Sequence, residues 1–292
     1  SANTNQMPDM SKRGGAMSFK KVGLISPGDM GHRVAMVLRD HGLEVLTCLE
    51  GRSPRTRELA QLAGVHSIDS YEELVRQVDL ILSILVPSEA EGAAATVCRA
   101  LQGTGARILH VDCNAVAPST ACRMAQLVQE GGSRFVDGGI IGPPPLRDGT
   151  TRFYISGPDA AEVERLSSYG LDVRVLGTEV GQASGFKMTY AGLSKGFAAL
   201  AIGVLVAARR LDLYEPLIKE LRLSQPERLA RMEKSLPQVP PKARRWVGEM
   251  EEIARTFQEQ GLTPSIHQGA AEMFRFLSKS PLAEETPETL DS

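Results

Sequence analysis

The chain has 292 residues, of which 42% are hydrophobic and 23% are charged, and its formal net charge is −2. This length favours two domains, and the composition is that of an ordinary soluble globular protein. A net charge near zero gives no electrostatic reason to expect nucleic acid or an anionic membrane as a partner. Because no two cysteines have C-x-x-C spacing, we expect reduced thiols in a cytoplasmic protein at Cys48, Cys98, Cys113 and Cys122.

The N-terminal stretch, residues 1–18, is polar and contains no apolar signal core, so we treat it as a tail outside the folded domains. The longest apolar run, 196–208, is shorter than the roughly 20 residues that cross a bilayer. We therefore expect no export signal and no membrane segment.

Residues 19–180 alternate short β-branched runs with helical stretches. Helices are predicted at 30–42 and at 53–64, where Ser53 has the properties of an N-cap and Pro54 those of a first helical residue. Strands that alternate with helices indicate βαβ units and a mainly parallel sheet. The predicted strands are 21–26, 43–49, 79–85, 106–113, 134–141, 151–156 and 171–176.

Helix-forming residues dominate from Gly181 onward, where a long apolar helix begins. Further helices are predicted at 215–223, 225–234, 241–260 and 265–278, with a loop at 235–243. The fold class is therefore α/β, with an N-terminal α/β domain (19–180) followed by an all-helical C-terminal domain (181–292) for substrate binding and dimerisation.

The sequence "LISPGDMG" places a tight loop between the first strand and the first helix, where a dinucleotide site needs G-x-G-x-x-G. Ser26 takes the place of the first glycine, which it can do if that position keeps a negative φ. The alternative is an ordinary β–α turn. The strand–loop–helix context favours a Rossmann-type cofactor site lined by Ser26, Pro27, Gly28, Asp29, Met30 and Gly31.

The residues at the end of the second strand indicate which of the two nicotinamide cofactors is preferred. Glu50 would hold the ribose hydroxyls of NAD, whereas Arg52, Ser53 and Arg55 would bind the additional phosphate of NADP. We expect NADP(H), with NAD(H) as the alternative.

Five motifs occur in an order that resembles a known family. They are "GDMG", "LVPSEA", "VDCNAVAPST", "VDGGIIGPPP" and the helix "GFKMTYAGLSKG". Together they resemble the 3-hydroxyacid dehydrogenase family, which includes 6-phosphogluconate dehydrogenase, and most closely its uncharacterised phosphogluconate-dehydrogenase-like branch. The resemblance extends from Lys20 to about Ser278.

The resemblance implies a role for several residues. Val86 and Pro87 would lie beside the cofactor, and Asn114 would lie near the nicotinamide and the substrate. The backbone of Gly138 and Gly139 would approach the acid group of the substrate. Lys187 would be the catalytic lysine that protonates the oxygen being reduced.

The chain also departs from the family at three places. The asparagine that the family carries four residues after the lysine is Ala191, and the histidine of 6-phosphogluconate dehydrogenase is Tyr190. A cofactor-contacting lysine near the C-terminus is replaced by Gly248. The general reaction can carry over, but the familiar substrates of the family are not expected.

A polar stripe on the long apolar helix carries the catalytic hypothesis. Lys187, Tyr190, Ser194 and Lys195 share one sector of that helix. Hydride transfer to a carbonyl carbon needs a proton for the oxygen, and burial lowers a lysine pKa toward neutrality. We therefore predict Lys187 and Tyr190 as catalytic and Ser194 and Lys195 as substrate-binding, although a snorkelling lysine and a core tyrosine would give the same pattern.

The last helices offer weaker candidates, Trp246, Glu249 and His267, because these helices could fold back over the cleft. We assign His267 to substrate binding, against the alternative of a packing residue. The scattered histidines lack metal-ligand spacing, so no metal is expected.

The expected function is a hydride transfer between NADP(H) and a small hydroxy acid or its carbonyl partner, with Lys187 as proton donor and acceptor. The alternatives are an imine reductase on the same architecture and a non-catalytic NAD(P)-binding sensor. Because the long helix exceeds one small domain, as it does in dimeric relatives, we expect a homodimer. The substrate itself and a possible decarboxylation stay open.

Overall fold

The computed structural model describes residues 18–145 and 150–284. Nearly all of the predicted N-terminal tail, residues 1–17, lies outside the described residues. The described chain consists of one eight-stranded sheet with helices on both faces, followed by a helical region. The predicted fold class is confirmed.

The sheet has the strand order β3-β2-β1-β4-β5-β6-β7-β8. All neighbouring strands are parallel except β6 and β7, which are antiparallel. The first six strands therefore have the order of a doubly wound dinucleotide-binding fold, with a crevice at the carboxyl ends of β1 and β4. The strands are β1 (Lys21–Ile25), β2 (Glu44–Cys48), β3 (His66–Ile68), β4 (Leu80–Ser83), β5 (Leu109–Asp112), β6 (Arg134–Ile141), β7 (Arg152–Ser156) and β8 (Asp172–Gly177).

Six helices connect the strands of the sheet. The second begins as predicted, since Ser53 Oγ accepts a hydrogen bond from the Thr56 amide at 3.2 Å and Pro54 is the first helical residue. The motif "LVPSEA" is mostly helical, because Pro87 starts an 18-residue helix. The helices are α1 (Gly31–Asp40), α2 (Pro54–Leu62), α3 (Tyr71–Gln77), α4 (Pro87–Thr104), α5 (Pro118–Glu130) and α6 (Ala160–Val163).

The change from sheet to helices falls between Gly177 and Gln182, close to the predicted domain boundary. The predicted loop at 235–243 contains two short 3₁₀ turns between α9 and α10. The C-terminal helices are α7 (Gln182–Arg210), α8 (Tyr214–Ser224), α9 (Pro226–Ser235), α10 (Ala243–Glu259) and α11 (Ser265–Ser278).

Apolar side chains cover both faces of the sheet and the inner surfaces of α7, α10 and α11. Val22, Leu24 and Leu80 lie in the cluster on one sheet face, and Ile25 and Ile81 lie in the cluster on the other. The helical core is built around Met188, Met250, Ile253 and Phe274. These clusters fix α7 against the sheet on one side and against α10 and α11 on the other.

Helix α7 is longer and more apolar than the run 196–208 indicated. It has 29 residues and reaches a mean hydropathy of 1.8 over 18 of them, so by length and composition it could cross a membrane. Only 39% of that stretch is buried. The expectation that the chain has no candidate span is therefore wrong for this helix, although core helices of soluble proteins have the same length and composition.

Candidate active site

The glycine loop follows β1 at the carboxyl edge of the sheet. Ser26 has a φ of +62°, in the left-handed region, so the prediction that this position keeps a negative φ is wrong. The loop turns tightly here, since the Gly28 amide donates to Ser26 O at 2.8 Å. Serine therefore adopts the backbone conformation of the glycine that it replaces, at a cost of about 1–2 kcal/mol.

Two glycines of the loop have different functions. A Cβ on Gly31 would lie 2.6 Å from Ser26 O, so glycine is needed for α1 to approach the loop. A Cβ on Gly28 would meet nothing within 4 Å, so this face of the loop is open. No acidic residue lies in the first turn of α1, and the N-cap Met30 makes no side-chain cap. These features fit an anionic ligand such as a pyrophosphate at the helix N-terminus.

Charged side chains flank the loop after β2. Arg55 pairs with Asp29 of the glycine loop at 2.7 Å, and Arg52 pairs with Glu89 at the start of α4 at 3.1 Å. Ser53 is engaged as the N-cap of α2. Arg55 thus contacts the glycine loop and Arg52 contacts the start of α4, and their contact with a cofactor phosphate stays a prediction.

Asn114 is buried and braces a neighbouring loop. Its Nδ2 donates to Ser83 Oγ and Asp112 Oδ1, and its Oδ1 accepts from the Leu85 amide at 2.5 Å. The side chain therefore uses its hydrogen-bonding groups inside the protein, and its place near the nicotinamide and the substrate stays a prediction. It fixes the segment after β4 that carries Val86 and Pro87, of which Val86 is exposed at the sheet edge.

Gly138 and Gly139 lie in the interior of β6 and pair with Ile155 and Tyr154 of β7. A Cβ on Gly138 would lie 2.8 Å from Asp112 O, and one on Gly139 would lie 2.7 Å from Lys187 Cβ. Both glycines are buried. They allow β5 and α7 to pack closely against β6, with Gly139 next to Lys187, and the approach of their backbone to the substrate acid group stays a prediction.

Lys187 lies on the second turn of α7 and is half-buried against β6. Its Nζ donates to Ile140 O at 2.6 Å. Its pKa is lowered to about 8, chiefly by burial and also by the charges of Lys195 and Arg245, against the opposite effect of Glu249. An ammonium has three donors, so this side chain keeps donors for a ligand.

The other members of the polar stripe do not contact Lys187. Tyr190 is 50% exposed, and no described residue hydrogen-bonds to its hydroxyl. Ser194 Oγ donates back to Ala191 O at 3.4 Å. The catalytic role predicted for Tyr190 and the substrate contact predicted for Ser194 therefore have no geometric support in the described part of the chain.

Lys195 forms an ion pair with Glu249 of α10, and both side chains are mostly buried. Its Nζ also lies 5.1 Å from the centre of the Trp246 ring. Although burial raises the pKa of Glu249, the charges of Lys195 and Lys187 hold it below its usual value. Helix α10 thus folds back onto the lysine face of α7, as expected for Trp246 and Glu249.

His267 is buried on a different side of α7. Its Nε2 would lie 3.1 Å from a Cβ on Gly192, and its ring packs 4.2 Å from that of Phe257. Gly192 follows Lys187 by five residues, which places it roughly 140° around the helix. The structure therefore does not bring His267 beside Lys187; the histidine packs on Phe257 and lines an apolar groove, and its assignment to substrate binding stays a prediction.

Sequence reasoning missed the residue that anchors α7. Asp137 of β6 accepts hydrogen bonds from the Gly181 and Ser184 amides at 2.9 Å each, from Ser184 Oγ at 2.5 Å and from Ser156 Oγ at 3.3 Å. It caps the N-terminus of the helix that carries Lys187. Since Ser184 follows Asp137 by 47 residues, no local sequence signal reveals this cap.

Asp112 lies beside Asp137 in the paired strands β5 and β6. The pKa of Asp112 is raised to about 7, chiefly by burial and also by the charge of Asp137, against the hydrogen bonds from Asn114. Among residues 18–145 and 150–284, no group of three or more His, Cys, Asp or Glu side chains is placed to hold a metal ion.

Comparison with known families agrees with this geometry. Residues 21–169 match the NAD binding domain of 6-phosphogluconate dehydrogenase, and residues 208–277 match a domain of unknown function, DUF1932. The first match covers half of the chain. The chain belongs to the 6-phosphogluconate dehydrogenase NAD-binding family. It thus has the dehydrogenase-like fold that binds NAD(P).

Individual relatives extend the similarity beyond the sheet. An uncharacterised 28.5 kDa protein of Methanothermus fervidus is 28% identical over 74% of this chain and 81% of its own length. A solved conserved protein of unknown function, described as similar to 3-hydroxyacid dehydrogenases, is 31% identical over 91% of this chain and 100% of its own, with a TM-score of 0.68. The 3-hydroxyisobutyrate dehydrogenase of Mycobacterium tuberculosis shares the fold, at 18% identity over 90% of this chain and 95% of its own and a TM-score of 0.67.

Proposed function

We propose that the protein is an NADP(H)-preferring oxidoreductase that interconverts a small hydroxy acid and its carbonyl partner. The observation that carries this proposal is Lys187, whose amine is held by Ile140 O where the sheet meets the helices. Its lowered pKa of about 8 suits it to exchange a proton near neutral pH. The bound nicotinamide supplies or accepts the hydride.

Lys187 acts on the oxygen of the reacting group. In reduction, its ammonium donates a proton to the oxygen as the carbonyl becomes a hydroxyl. In oxidation, the neutral amine takes that proton back. Ile140 O holds the amine in place during both steps, because the carbonyl oxygen accepts one of its hydrogens at 2.6 Å.

The preference for NADP(H) rests on the arginines that flank the glycine loop. Arg55 already pairs with a carboxylate, Asp29, in that loop. A 2′-phosphate offers this arginine a stronger acceptor than Asp29, and Arg52 and Ser53 lie on the same segment. Glu50, which would favour NAD(H), is exposed at the same end of β2.

A thermal-shift titration with NADPH and NADH, followed by a substrate panel, tests the proposal. A cofactor at 100 times its Kd stabilises the folded state by about 2.7 kcal/mol, which raises the melting temperature measurably. We expect a larger shift with NADPH than with NADH, and turnover of at least one 2- or 3-hydroxy acid. No shift with either cofactor would contradict the proposal. Turnover of cyclic imines alone would identify an imine reductase, and binding without turnover would identify a sensor.

We also propose a homodimer that covers an apolar groove between α7 and α11. The groove has a volume of about 880 Å³, and Leu200, Val204 and Ile266 line it while more than 40% exposed. A second copy of the same helix face would bury them.

Sedimentation analysis checks this assembly. The wild-type protein should sediment as a dimer. Leu200→Glu should weaken the dimer at least 10-fold, because a carboxylate in the groove would be desolvated. The control Leu62→Glu, at an exposed leucine of α2, should leave the dimer intact. A monomeric wild-type protein would contradict the proposed dimer, and so would a wild-type protein that stays in solution only in the presence of detergent or lipid.

A further inference from the structure

The face of α10 that meets the lysine face of α7 carries more positive charge than the fold neutralises. Lys242, Arg245, Trp246 and Glu249 occupy positions i, i+3, i+4 and i+7, which lie on one face of the helix. Glu249 is the acidic member, and it is paired with Lys195. Lys242 is the N-cap residue of α10 and Arg245 lies in its first turn, and among the described residues neither has a carboxylate of its own. Arg245 is close enough to Lys187 for its charge to lower the pKa of that lysine.

The ion pairs of this region also leave the two cations without an acidic partner. In the parts of the chain that the structure describes, no acidic group lies within ion-pair distance of Lys242 or Arg245. Burial lowers the pKa of Lys242, and the charges of Arg245 and Lys195 lower it further. Two cations thus repel each other at the edge of the site, a cost that a bound anion would remove.

The positions near Lys187 that the resemblance links with the substrate offer no side chain that could hold an acid group. Gly138 and Gly139, from which the resemblance implied this contact, are buried and paired within the sheet. The asparagine that the family places after the lysine is Ala191, which is buried and has no polar side chain. The acid group of a substrate held at Lys187 therefore needs other partners.

We propose that Lys242 and Arg245 form an anion subsite that selects substrates whose far end carries two negative charges, on either a phosphate-type group or a pair of carboxylates. Lys187 contacts the reacting oxygen, and the two α10 cations hold the charged end of the same molecule. This inference rests on the proposed function for the identity of the ligand as a substrate, but the subsite itself binds anions without cofactor or turnover.

Trp246 provides a direct probe, because it is the one tryptophan of the chain, follows Arg245 in the sequence and has its ring 5.1 Å from Lys195 Nζ. The full-length protein is titrated with inorganic phosphate, malonate and acetate at constant ionic strength and without cofactor. Both tryptophan fluorescence and melting temperature are followed. Phosphate or malonate should saturate at least 10-fold more tightly than acetate, and the tighter of the two dianions distinguishes a phosphate-type from a dicarboxylic ligand.

Three variants locate the binding. Arg245→Gln and Lys242→Gln should each weaken dianion binding about 10-fold, since each loses one charge-assisted contact. Arg244→Gln removes the same charge from the adjacent exposed position, roughly 100° around the helix, and should change binding less than 2-fold. Arg245→Lys should retain most of the affinity.

The absence of saturable binding by both readouts, equal affinity for acetate, or equal effects of Arg244→Gln and Arg245→Gln would overturn the subsite. Specific dianion binding by a protein that oxidises no hydroxy acid would leave the subsite standing and refute only the proposed reaction. Hydride transfer without dianion binding would support the proposed reaction and refute the subsite.

Discussion

Two ionisable side chains, Asp137 and Lys187, lie where the sheet joins the helices, and they differ in how many of their hydrogen-bonding groups are used within the fold. Asp137 accepts four hydrogen bonds, three of them from the start of α7. Lys187, less than one helical turn beyond Ser184, donates one described hydrogen bond, to Ile140 O. The carboxylate has little capacity left for a ligand, whereas the amine retains two donors.

The same difference separates the two halves of the molecule. In the sheet, Asn114 and Asp112 satisfy each other and the neighbouring backbone. In the helical region, Lys242 and Arg245 keep unpaired charge among the described residues. The polar side chains Asn114, Asp112 and Asp137 are therefore satisfied within the fold, whereas Lys187, Lys242 and Arg245 keep donors that no described residue uses.

Removal of the reactive amine gives the largest expected effect. Lys187→Ala should lower kcat by ~10²-fold or more, because the oxygen loses its proton donor, while the thermal shift with NADPH is kept. In the wild type, the reduction rate should fall as pH rises through about 8, where the ammonium loses its proton, and the oxidation rate should rise. Steady-state kinetics over pH 6–10 measure both.

Lys219→Ala, at an exposed lysine of α8, is the matched control and should keep kcat within 2-fold. Unchanged turnover in Lys187→Ala would contradict the contrast with Asp137. The free donors of Lys187 would then have no part in the reaction.

Removal of the Asp137 carboxylate, whose acceptors are used within the fold, should instead lower the free energy of unfolding. Asp137→Ala leaves two amides and a hydroxyl at the start of α7 without their acceptor, and we expect a loss of about 3 kcal/mol. Urea unfolding measures it. Asp159→Ala, which removes a partly exposed partner of Arg134, should cost less than about 1 kcal/mol. Equal losses in the two variants would show that the cap at α7 is unimportant.

Asp112 should make stability depend on pH. Its pKa is raised to about 7 in the folded protein, so the folded state binds the proton more tightly than the unfolded chain does. Its contribution is therefore complete below the unfolded pKa, near 4, and is lost as pH rises through about 7. Between pH 5 and pH 8 the loss amounts to about 3 kcal/mol.

Asp112→Asn does not titrate and should flatten this dependence. Chemical unfolding of both proteins at pH 5, 6, 7 and 8 gives the two slopes. Parallel slopes would mean that Asp112 is ionised in the folded protein throughout this range.

The sequence contains enough information to predict most of the fold. The buried strands are β-branched runs, and β6 was predicted with its observed bounds, because β propensity and burial act together there. Strand β3 was missed, since its three residues are at the sheet edge and none is buried. Pro87 marked a helix start that was interpreted as a loop.

The site could be predicted only where its chemistry is local. Lys187 is conspicuous because a lysine in an apolar helix is unusual. The pair of Lys195 and Glu249 and the cap by Asp137 join residues 54 and 47 positions apart, and neither has a local signal. The structure does not bring His267 beside Lys187, because the helix face that α11 contacts depends on packing, which periodicity does not determine.

Ser26 gives the smallest expected effect and tests the backbone at the origin of the cofactor loop. Its left-handed φ of +62° costs a serine about 1 kcal/mol that a glycine avoids. Ser26→Gly should therefore stabilise the protein by up to about 1 kcal/mol, offset in part by the greater freedom of glycine in the unfolded chain, and leave the NADPH shift unchanged. Asp212→Gly, at the other non-glycine residue with a positive φ in the described chain, should gain less, because aspartate tolerates this region better. A loss of cofactor affinity in Ser26→Gly would mean that the serine hydroxyl itself binds the cofactor. Ser26 would then resemble Lys187, whose donors are free for a ligand, and not Asp137, whose acceptors are used within the fold.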